Sequence, residues 1–178
     1  MQQQHLLSRR TIIQALALSP VVAASAQDQL SPDKSREFWN KIYAEEDRVT
    51  SYPNRFLVDA VEGVKPGQAL DIGMGQGRNT LFLARRGWNV TGVDIADKGI
   101  EIAKKAAERR NLKFNGVASD FAVFEVGKQR WDLIAGVYMG ELITEQAARI
   151  VEGLRPGGLL VVENFHRDGN MNAITGGK

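Results

Sequence analysis

The sequence of 178 residues contains no cysteine. Without a thiol the protein cannot use thiolate catalysis, a cysteine-ligated zinc site or the multi-cysteine chemistry of arsenic methylation. A domain of this size should bury roughly 68 to 70% of the surface of its unfolded chain, so it needs no disulfide to fold. The redox compartment stays open, because a protein without cysteine is indifferent to it.

The chain also lacks a large excess of charge of one sign. It has 23 lysines and arginines against 21 acidic residues, and the first 26 residues hold two of the arginines and no acid. The remainder therefore carries as many basic as acidic residues, a formal charge of zero. Without a one-sided basic field, we expect neither nucleic acid nor an anionic membrane surface as a partner.

No apolar run is long enough to span a bilayer, so we expect no stable membrane insertion of the mature domain. The stretch over residues 11–22 follows Arg9 and Arg10 and is interrupted by a glutamine and a proline. A small-x-small site at residues 24–26 comes next, an order that is typical of a signal peptide and resembles the twin-arginine export signal. We predict a signal peptide over residues 1–26 and a periplasmic location. The alternative is a frayed N-terminal helix, or a wrongly chosen start codon, on a cytoplasmic protein.

Strand and helix signals alternate along the rest of the chain. Two helical stretches come first and form a predicted cap over residues 27–63, and the main domain is predicted over residues 64–178. The alternation predicts an α/β fold with a doubly wound, Rossmann-like, mostly parallel sheet in the strand order 3-2-1-4-5. Ligands of such sheets bind at the carboxyl ends of the strands, here between the first and fourth. The predicted strands are residues 68–72, 88–93, 112–118, 131–137 and 159–163, with helices over residues 78–86, 97–110 and 144–154.

A glycine-rich turn leaves the first strand and enters a helix. Residues 71–77 read Asp-Ile-Gly-Met-Gly-Gln-Gly, and glycines at alternate positions let the backbone turn tightly and come close to a ligand. A dinucleotide fingerprint would place its third glycine one position later, where this chain has Arg78. A tight turn that binds nothing is the alternative interpretation.

Carboxylates follow the next two strands. Asp94 ends the second strand, 17 residues after Gly77, and can accept hydrogen bonds from both hydroxyls of a ribose. Asp120 and Phe121 follow the third strand and suit an adenine, since the carboxylate can accept from the exocyclic amine. Each also has a structural alternative, namely a solvated strand-end residue for Asp94 and a turn beside a core ring for Asp120.

Taken in order, these motifs resemble those of class I S-adenosylmethionine-dependent methyltransferases. The resemblance covers about residues 38–165 and includes Trp-Asp-Leu-Ile at residues 131–134 and Leu-Arg-Pro-Gly-Gly at residues 154–158. Phe-Trp-Asn-Lys-Ile-Tyr at residues 38–43 and Gly-Gln-Gly-Arg-Asn at residues 75–79 are most similar to the small-molecule branch that includes tellurite-resistance methyltransferases.

The resemblance implies that S-adenosylmethionine is the cofactor. It places two glycines of the turn beside the methionine part, Asp94 at the ribose, and Asp120 with Phe121 at the adenine. Residues 136–138 would lie beside the reacting methyl group. The implied cofactor-binding residues are Asp71, Gly73, Gly75, Gly77, Asp94, Ile95, Asp120, Phe121 and Val137.

The predicted function is in-line transfer of this methyl group to a small-molecule acceptor. A sulfonium methyl is already activated, so the protein mainly aligns the acceptor and excludes water, and it needs a general base only where the acceptor must lose a proton. A Gly-Glu pair follows the fourth strand, in place of the Asn-Pro-Pro-aromatic signature of amine methylation in nucleic acids. This difference disfavours DNA and RNA as substrates. No catalytic residue is assigned and no metal is expected. The candidates near the acceptor are Tyr138, Glu141, Glu163, Asn164 and His166.

Two other functions stay open. They are an NAD(P)-dependent oxidoreductase that reuses the fold and a truncated, non-catalytic S-adenosylmethionine-binding protein. The sequence ends 13 residues after Phe165, where the family sheet normally continues with a helix and an antiparallel strand pair. We expect those strands to be missing or truncated. The fifth strand would then form an edge that a homo-oligomer contact can cover.

Overall fold

A computed structural model describes residues 31–45 and 52–164 of the chain. The predicted signal peptide and His166 lie outside the described residues. None of the helices in these two ranges combines the length and the apolar composition that a membrane span requires. The helices there are α1 (Pro32–Glu45), α2 (Arg55–Ala60), α3 (Arg78–Arg85), α4 (Asp97–Arg109), α5 (Gly140–Glu145) and α6 (Ala147–Gly153). The strands are β1 (Gln68–Ile72), β2 (Asn89–Asp94), β3 (Asn115–Ala118), β4 (Trp131–Val137) and β5 (Leu154–Glu163).

The strands form one sheet in the order β3-β2-β1-β4-β5, and each of the four pairings is parallel. The predicted α/β class and strand order are confirmed. β1 pairs with β2 on one side and with β4 on the other. The strand order therefore reverses between β1 and β4, which is the place where sheets of this type bind ligands.

The central strands are buried on both faces because helices cover the sheet on both sides. On one face, Leu133 and Ala135 of β4 belong to a cluster that includes Leu57 of α2 and Leu83 of α3. On the other face, Ile134 belongs to a cluster that includes residues of α5 and α6. Alternate residues of β4 thus point into two different cores, as the pleat of a strand requires.

Three elements differ from the sequence prediction by more than two residues. β3 begins at Asn115 and not at residue 112, because Leu112 and Phe114 pack against the cluster formed by α3 and α4. The predicted helix over residues 144–154 consists of two short helices that meet at Gln146. β5 includes residues 154–158 as well, since the Pro-Gly-Gly sequence forms an irregularity opposite β4 and not a separate loop.

Helix α1 lies against α4 and buries none of its residues fully. Asn40 joins the two helices, because its side-chain amide donates to the Asp97 carboxylate at 2.7 Å and its oxygen accepts from the Lys98 N–H at 3.0 Å. Arg36 Nε also donates to the backbone oxygen of Ile95 at 3.2 Å. These bonds fix α1 above the carboxyl end of β2.

Candidate functional site

A cavity of about 1000 Å³ opens at the carboxyl ends of the strands, where the strand order reverses. Ligand cavities run from about 300 to 1000 Å³, so this one has room for a nucleoside-sized ligand and a second small molecule. The turn after β1, the ends of β2 and β4, and parts of α1 and α5 form its walls. The predicted site residues that line it are Gly73, Gly75, Asp94, Ile95, Asp120, Phe121, Val137, Tyr138, Glu141 and Asn164.

Two residues predicted to bind the cofactor, Asp71 and Gly77, lie behind the cavity wall. Asp71 is 1% exposed and accepts a hydrogen bond of 2.6 Å from the Thr80 hydroxyl. Gly77 has a φ of +83°, and a Cβ there would come within 2.7 Å of the Ala103 Cβ. The structure therefore gives both residues a role in the shape of the turn, because Asp71 anchors α3 to β1 and Gly77 lets α3 approach α4 closely.

The pKa of Asp71 is raised to about 6, and burial is the largest cause of this shift. The Thr80 hydrogen bond and the Arg78 guanidinium lower the pKa, and the Asp94 carboxylate raises it. Desolvation outweighs the hydrogen bond because the charged form has lost its water on all sides. A second carboxylate close by adds to the effect.

The backbone of the glycine turn itself forms part of the cavity wall. Gly73 and Gly75 have φ values of +69° and +50°, a region that residues with side chains rarely adopt. A Cβ on Gly73 would lie 2.5 Å from Met139 Sδ, and one on Gly75 would lie 2.8 Å from the Tyr43 hydroxyl. A side chain at either position would be strained and would have to displace Met139 or Tyr43, so the turn favours glycine at both positions.

Asp94 is 8% exposed at the end of β2. One carboxylate oxygen accepts from the Gly75 N–H at 2.7 Å and the other from the Ala96 N–H at 2.8 Å. Burial raises its pKa and these backbone bonds lower it. The interpretation of Asp94 as a solvated strand-end residue is therefore wrong. Because a carboxylate oxygen can accept more than one hydrogen bond, the predicted ribose contact is compatible with this geometry.

Asp120 and Phe121 line the cavity beyond the end of β3. Asp120 Oδ1 accepts from the Ala122 N–H at 2.9 Å, as expected of a turn carboxylate. Phe121 belongs to a core cluster and stacks on Phe124 with the ring centroids 5.9 Å apart. Asp120 therefore lies in a turn and Phe121 in the core, as the alternative interpretation expected, and both also line the cavity, as the predicted adenine contact requires.

Tyr138 follows β4 in a left-handed conformation, with a φ of +64°. Its N–H donates to the backbone oxygen of Glu163 at 2.7 Å, which joins the ends of β4 and β5. Its ring lies beside the Arg78 guanidinium, whose Cζ is 5.4 Å from the ring centroid. A bulky residue rarely adopts this conformation, and such residues cluster at functional sites.

A polar network beside the site was not predicted from the sequence. Asn54 caps α2, because its side-chain oxygen accepts from the Leu57 N–H at 3.0 Å. The Asn54 N–H donates to Asn79 Oδ1 at 2.9 Å, and its side-chain amide donates to the Glu163 carboxylate. Glu163, a candidate on the acceptor side, is thus engaged by α2. The sequence did offer one signal for this network, because Asn54 stands at the start of a predicted helix and asparagine is a preferred capping residue.

Two aromatic residues of α1 also line the cavity and were not named as site residues. Trp39 and Tyr43 are four positions apart, on one face of the helix, and their rings stack with centroids 5.8 Å apart. Tyr138 and the first residues of α5 line the same cavity. Of the described residues, no group of three or more His, Asp or Glu side chains could hold a metal ion.

Residues 34–162 match the protein family described as Tellurite resistance protein TehB. A ubiquinone biosynthesis O-methyltransferase from Coxiella burnetii is 31% identical over 108 residues, which are 59% of this chain and 46% of that protein. The chain spans about half the length of the curated relatives it matches.

Two solved structures share the fold. The crystal structure of TehB from Haemophilus influenzae matches with a TM-score of 0.57 and 25% identity, over 72% of this chain and 45% of that one. A SAM-dependent methyltransferase from Thiobacillus denitrificans, in complex with S-adenosyl-L-homocysteine, matches with a TM-score of 0.60 and 23% identity. That match covers 78% of this chain and 60% of the other.

Proposed function

The chain belongs to the TehB family, and on this premise we propose that it is an S-adenosylmethionine-dependent methyltransferase that acts on a small-molecule acceptor. The cavity is the observation that carries the proposal. It lies where the strand order reverses, and one wall is a glycine turn that excludes side chains. A buried carboxylate, Asp94, lies beside that turn.

The residues around the cavity fit this cofactor. Asp94 would accept from the ribose hydroxyls, and Asp120 with Phe121 would hold the adenine. The backbone at Gly73 and Gly75 would lie against the methionine part, since no Cβ intervenes there. When bound, S-adenosylmethionine would supply a methyl group on a positively charged sulfur. Asp71 and Gly77 would act through the shape of the turn.

The protein's own task would be to orient the acceptor and exclude water. Orientation alone can contribute about 7 to 11 kcal/mol, so no catalytic triad is required. Trp39 and Tyr43 cover the cavity from α1, and Leu142 adds an apolar contribution from α5. Tyr138 and Glu141 line the cavity after β4 and stay candidates for contact with the acceptor. His166 stays a prediction.

Small-molecule acceptors are favoured over nucleic acid by the charge of the site. Four carboxylates line the cavity, and Arg78 is the one cation on its wall among the described residues. A phosphate backbone needs several neutralising cations along its path. The names of the relatives, in ubiquinone biosynthesis and tellurite resistance, agree with a small acceptor.

A binding and turnover experiment tests the proposal. Calorimetric titration of the protein with S-adenosylhomocysteine and with NAD should give binding of the first alone. Incubation with S-adenosylmethionine and a panel of thiol, oxyanion and metalloid acceptors should then yield S-adenosylhomocysteine with at least one of them. Binding without turnover on any acceptor would favour a non-catalytic protein, and binding of NAD alone would favour an oxidoreductase.

We also propose that residues 1–26 direct export through a twin-arginine route to the periplasm. The Arg9-Arg10 pair, the modestly apolar stretch and the small-x-small site support this. Such a route would carry the domain already folded, with a cofactor made in the cytosol. Fractionation should place a shortened protein in the periplasm, and Arg9→Lys with Arg10→Lys should retain it in the cytoplasm. A full-length cytoplasmic protein unaffected by the substitutions would contradict the proposal.

A homo-oligomer through β5 is a further proposal. Among the described residues, β5 pairs with β4 on one side and with no strand on the other. An open edge presents unpaired backbone groups that a second copy can pair with.

A further inference from the structure

Arg78 is a cation on the cavity wall, and no carboxylate among the described residues forms an ion pair with it. Four carboxylates line the same cavity, yet none of the described residues forms an ion pair or a hydrogen bond with the Arg78 guanidinium. Asp71 is close enough to interact electrostatically, but it lies behind the wall and accepts from Thr80. The ion pairs of the described residues use other cations, namely Arg36, Arg55, Lys98, Lys128 and Arg155.

The Tyr138 ring holds this guanidinium at the cavity. The Arg78 Cζ lies 5.4 Å from the ring centroid, a distance at which a cation is attracted to the ring. Tyr138 is itself fixed by its left-handed backbone and by the bond from its N–H to the Glu163 oxygen. A ring contact engages the charge of a guanidinium without using its N–H groups as hydrogen-bond donors. Arg78 therefore keeps donors for another molecule.

We propose that Arg78 binds an anionic group, a carboxylate or an oxyanion, of a ligand in the cavity. The inference rests on the proposed function and adds a specificity-determining residue to it. A guanidinium fork matches the two oxygens of such a group and forms strong, charge-assisted hydrogen bonds with them. Two ligands of a methyltransferase can carry the group: the amino-acid carboxylate of the cofactor, or an anionic methyl acceptor.

Helix α3 offers a matched control at its other end. Arg86 lies beside the Phe82 ring with its Cζ 5.9 Å from the centroid, so it makes the same type of contact. Arg86 is exposed and lies outside the cavity lining. Arg86→Gln thus removes an arginine from an aromatic ring without affecting the proposed anion site.

The first experiment separates the cofactor's carboxylate from its nucleoside. S-adenosylhomocysteine and 5′-methylthioadenosine, which lacks the amino-acid part, are titrated into the wild type, Arg78→Gln, Arg78→Lys and Arg86→Gln. If Arg78 holds the cofactor carboxylate, Arg78→Gln weakens S-adenosylhomocysteine by about ten- to a hundredfold and leaves 5′-methylthioadenosine unchanged. Arg78→Lys restores part of the affinity, because it keeps the charge and loses the fork.

The second experiment addresses an anionic acceptor. Acetate and selenite are titrated into the same proteins, both free and saturated with S-adenosylhomocysteine. If Arg78 holds the acceptor, Arg78→Gln binds S-adenosylhomocysteine as the wild type does and loses at least tenfold in affinity for one of these anions. Arg86→Gln should match the wild type throughout.

The inference is overturned if Arg78→Gln binds all four ligands as the wild type does. It is also overturned if the variant weakens S-adenosylhomocysteine and 5′-methylthioadenosine equally with no change for the anions, because that result indicates a distorted turn. A wild type that binds no S-adenosylhomocysteine would contradict the proposed function. The anion titrations of the free protein would still decide the role of Arg78, since absent or Arg78-independent anion binding would then exclude it.

Discussion

The N–H of Gly75 donates a hydrogen bond of 2.7 Å to the Asp94 carboxylate. A side chain at the end of β2 therefore holds the glycine turn that follows β1. The second carboxylate oxygen holds the Ala96 N–H at 2.8 Å, just before α4. One residue thus fixes two loops at the carboxyl edge of the sheet, and a substitution there should change both the stability of the protein and the shape of the cavity.

Asp94→Ala should lower the free energy of unfolding by about 2 to 6 kcal/mol in the absence of ligand. The substitution leaves two buried N–H groups without acceptors, at about 1 to 3 kcal/mol each. Urea unfolding of the wild type and the variant measures the difference. Glu101→Ala, an exposed carboxylate on α4, is the control and should change stability by less than about 0.5 kcal/mol. An Asp94→Ala variant as stable as the wild type would show that these bonds do not hold the turn.

Asp71 should make the protein less stable as the pH rises. Its pKa is about 6 in the folded protein, against an ordinary value of 3.8. The folded state therefore holds this proton more tightly than the unfolded state, and stability from this group falls between about pH 4 and pH 6. The full difference is about 3 kcal/mol.

Asp71→Asn removes this titration and keeps an acceptor for the Thr80 hydroxyl. The stability of the variant minus that of the wild type should therefore be larger at pH 7.5 than at pH 4.5, as measured by urea unfolding at both pH values. Glu108→Gln, on the exposed face of α4, controls for the loss of one negative charge. A stability difference between Asp71→Asn and wild type that is constant with pH would contradict the burial argument.

Tyr138→Gly should be more stable than Tyr138→Ala by about 1 kcal/mol. Both variants remove the ring, but only glycine adopts a φ of +64° without a steric penalty, which is roughly 1 to 2 kcal/mol for other residues. Thermal or urea unfolding of the two variants measures the difference in stability that the left-handed backbone conformation causes. Equal stabilities, or a more stable alanine variant, would mean that the backbone after β4 relaxes out of the left-handed conformation.

The outer edge of β5 should exchange its amide hydrogens faster than β1 in a monomer. Strand β1 has hydrogen-bonded neighbours on both sides, whereas β5 has one among the described residues. Hydrogen exchange, with sedimentation to establish the oligomeric state, tests this and the proposed homo-oligomer together. Slow exchange at β5 with self-association at micromolar concentration would support the oligomer. Slow exchange in a demonstrated monomer would contradict both expectations.

The sequence was most informative where burial is continuous. The bounds of β1 and β4 were predicted correctly, because both are mostly apolar stretches between turn signals and are largely buried on both faces. The start of β5 was not, since Pro156 and two glycines read as a loop while the chain stays beside β4 as an irregularity. Local signals do not distinguish these outcomes.

The candidate site shows the same division. The position of the glycine turn followed from the sequence, because its residues are consecutive. The bond between Asn54 and Glu163 joins residues 109 positions apart, so no local pattern contains it. The burial of Asp94 depends on the turn packing over it, and the sequence alone suggested an exposed strand end.

The central claim is that the glycine turn and Asp94 form the binding site of S-adenosylmethionine. Calorimetric titration of S-adenosylhomocysteine into wild type and Asp94→Asn tests it most directly, at a temperature where melts show both proteins folded. Loss of charge-assisted bonds to the ribose, at about 1.5 to 3 kcal/mol each, should weaken the variant by roughly ten- to several-hundredfold. Equal affinities for the two proteins, or wild-type binding of NAD without S-adenosylhomocysteine, would contradict the claim.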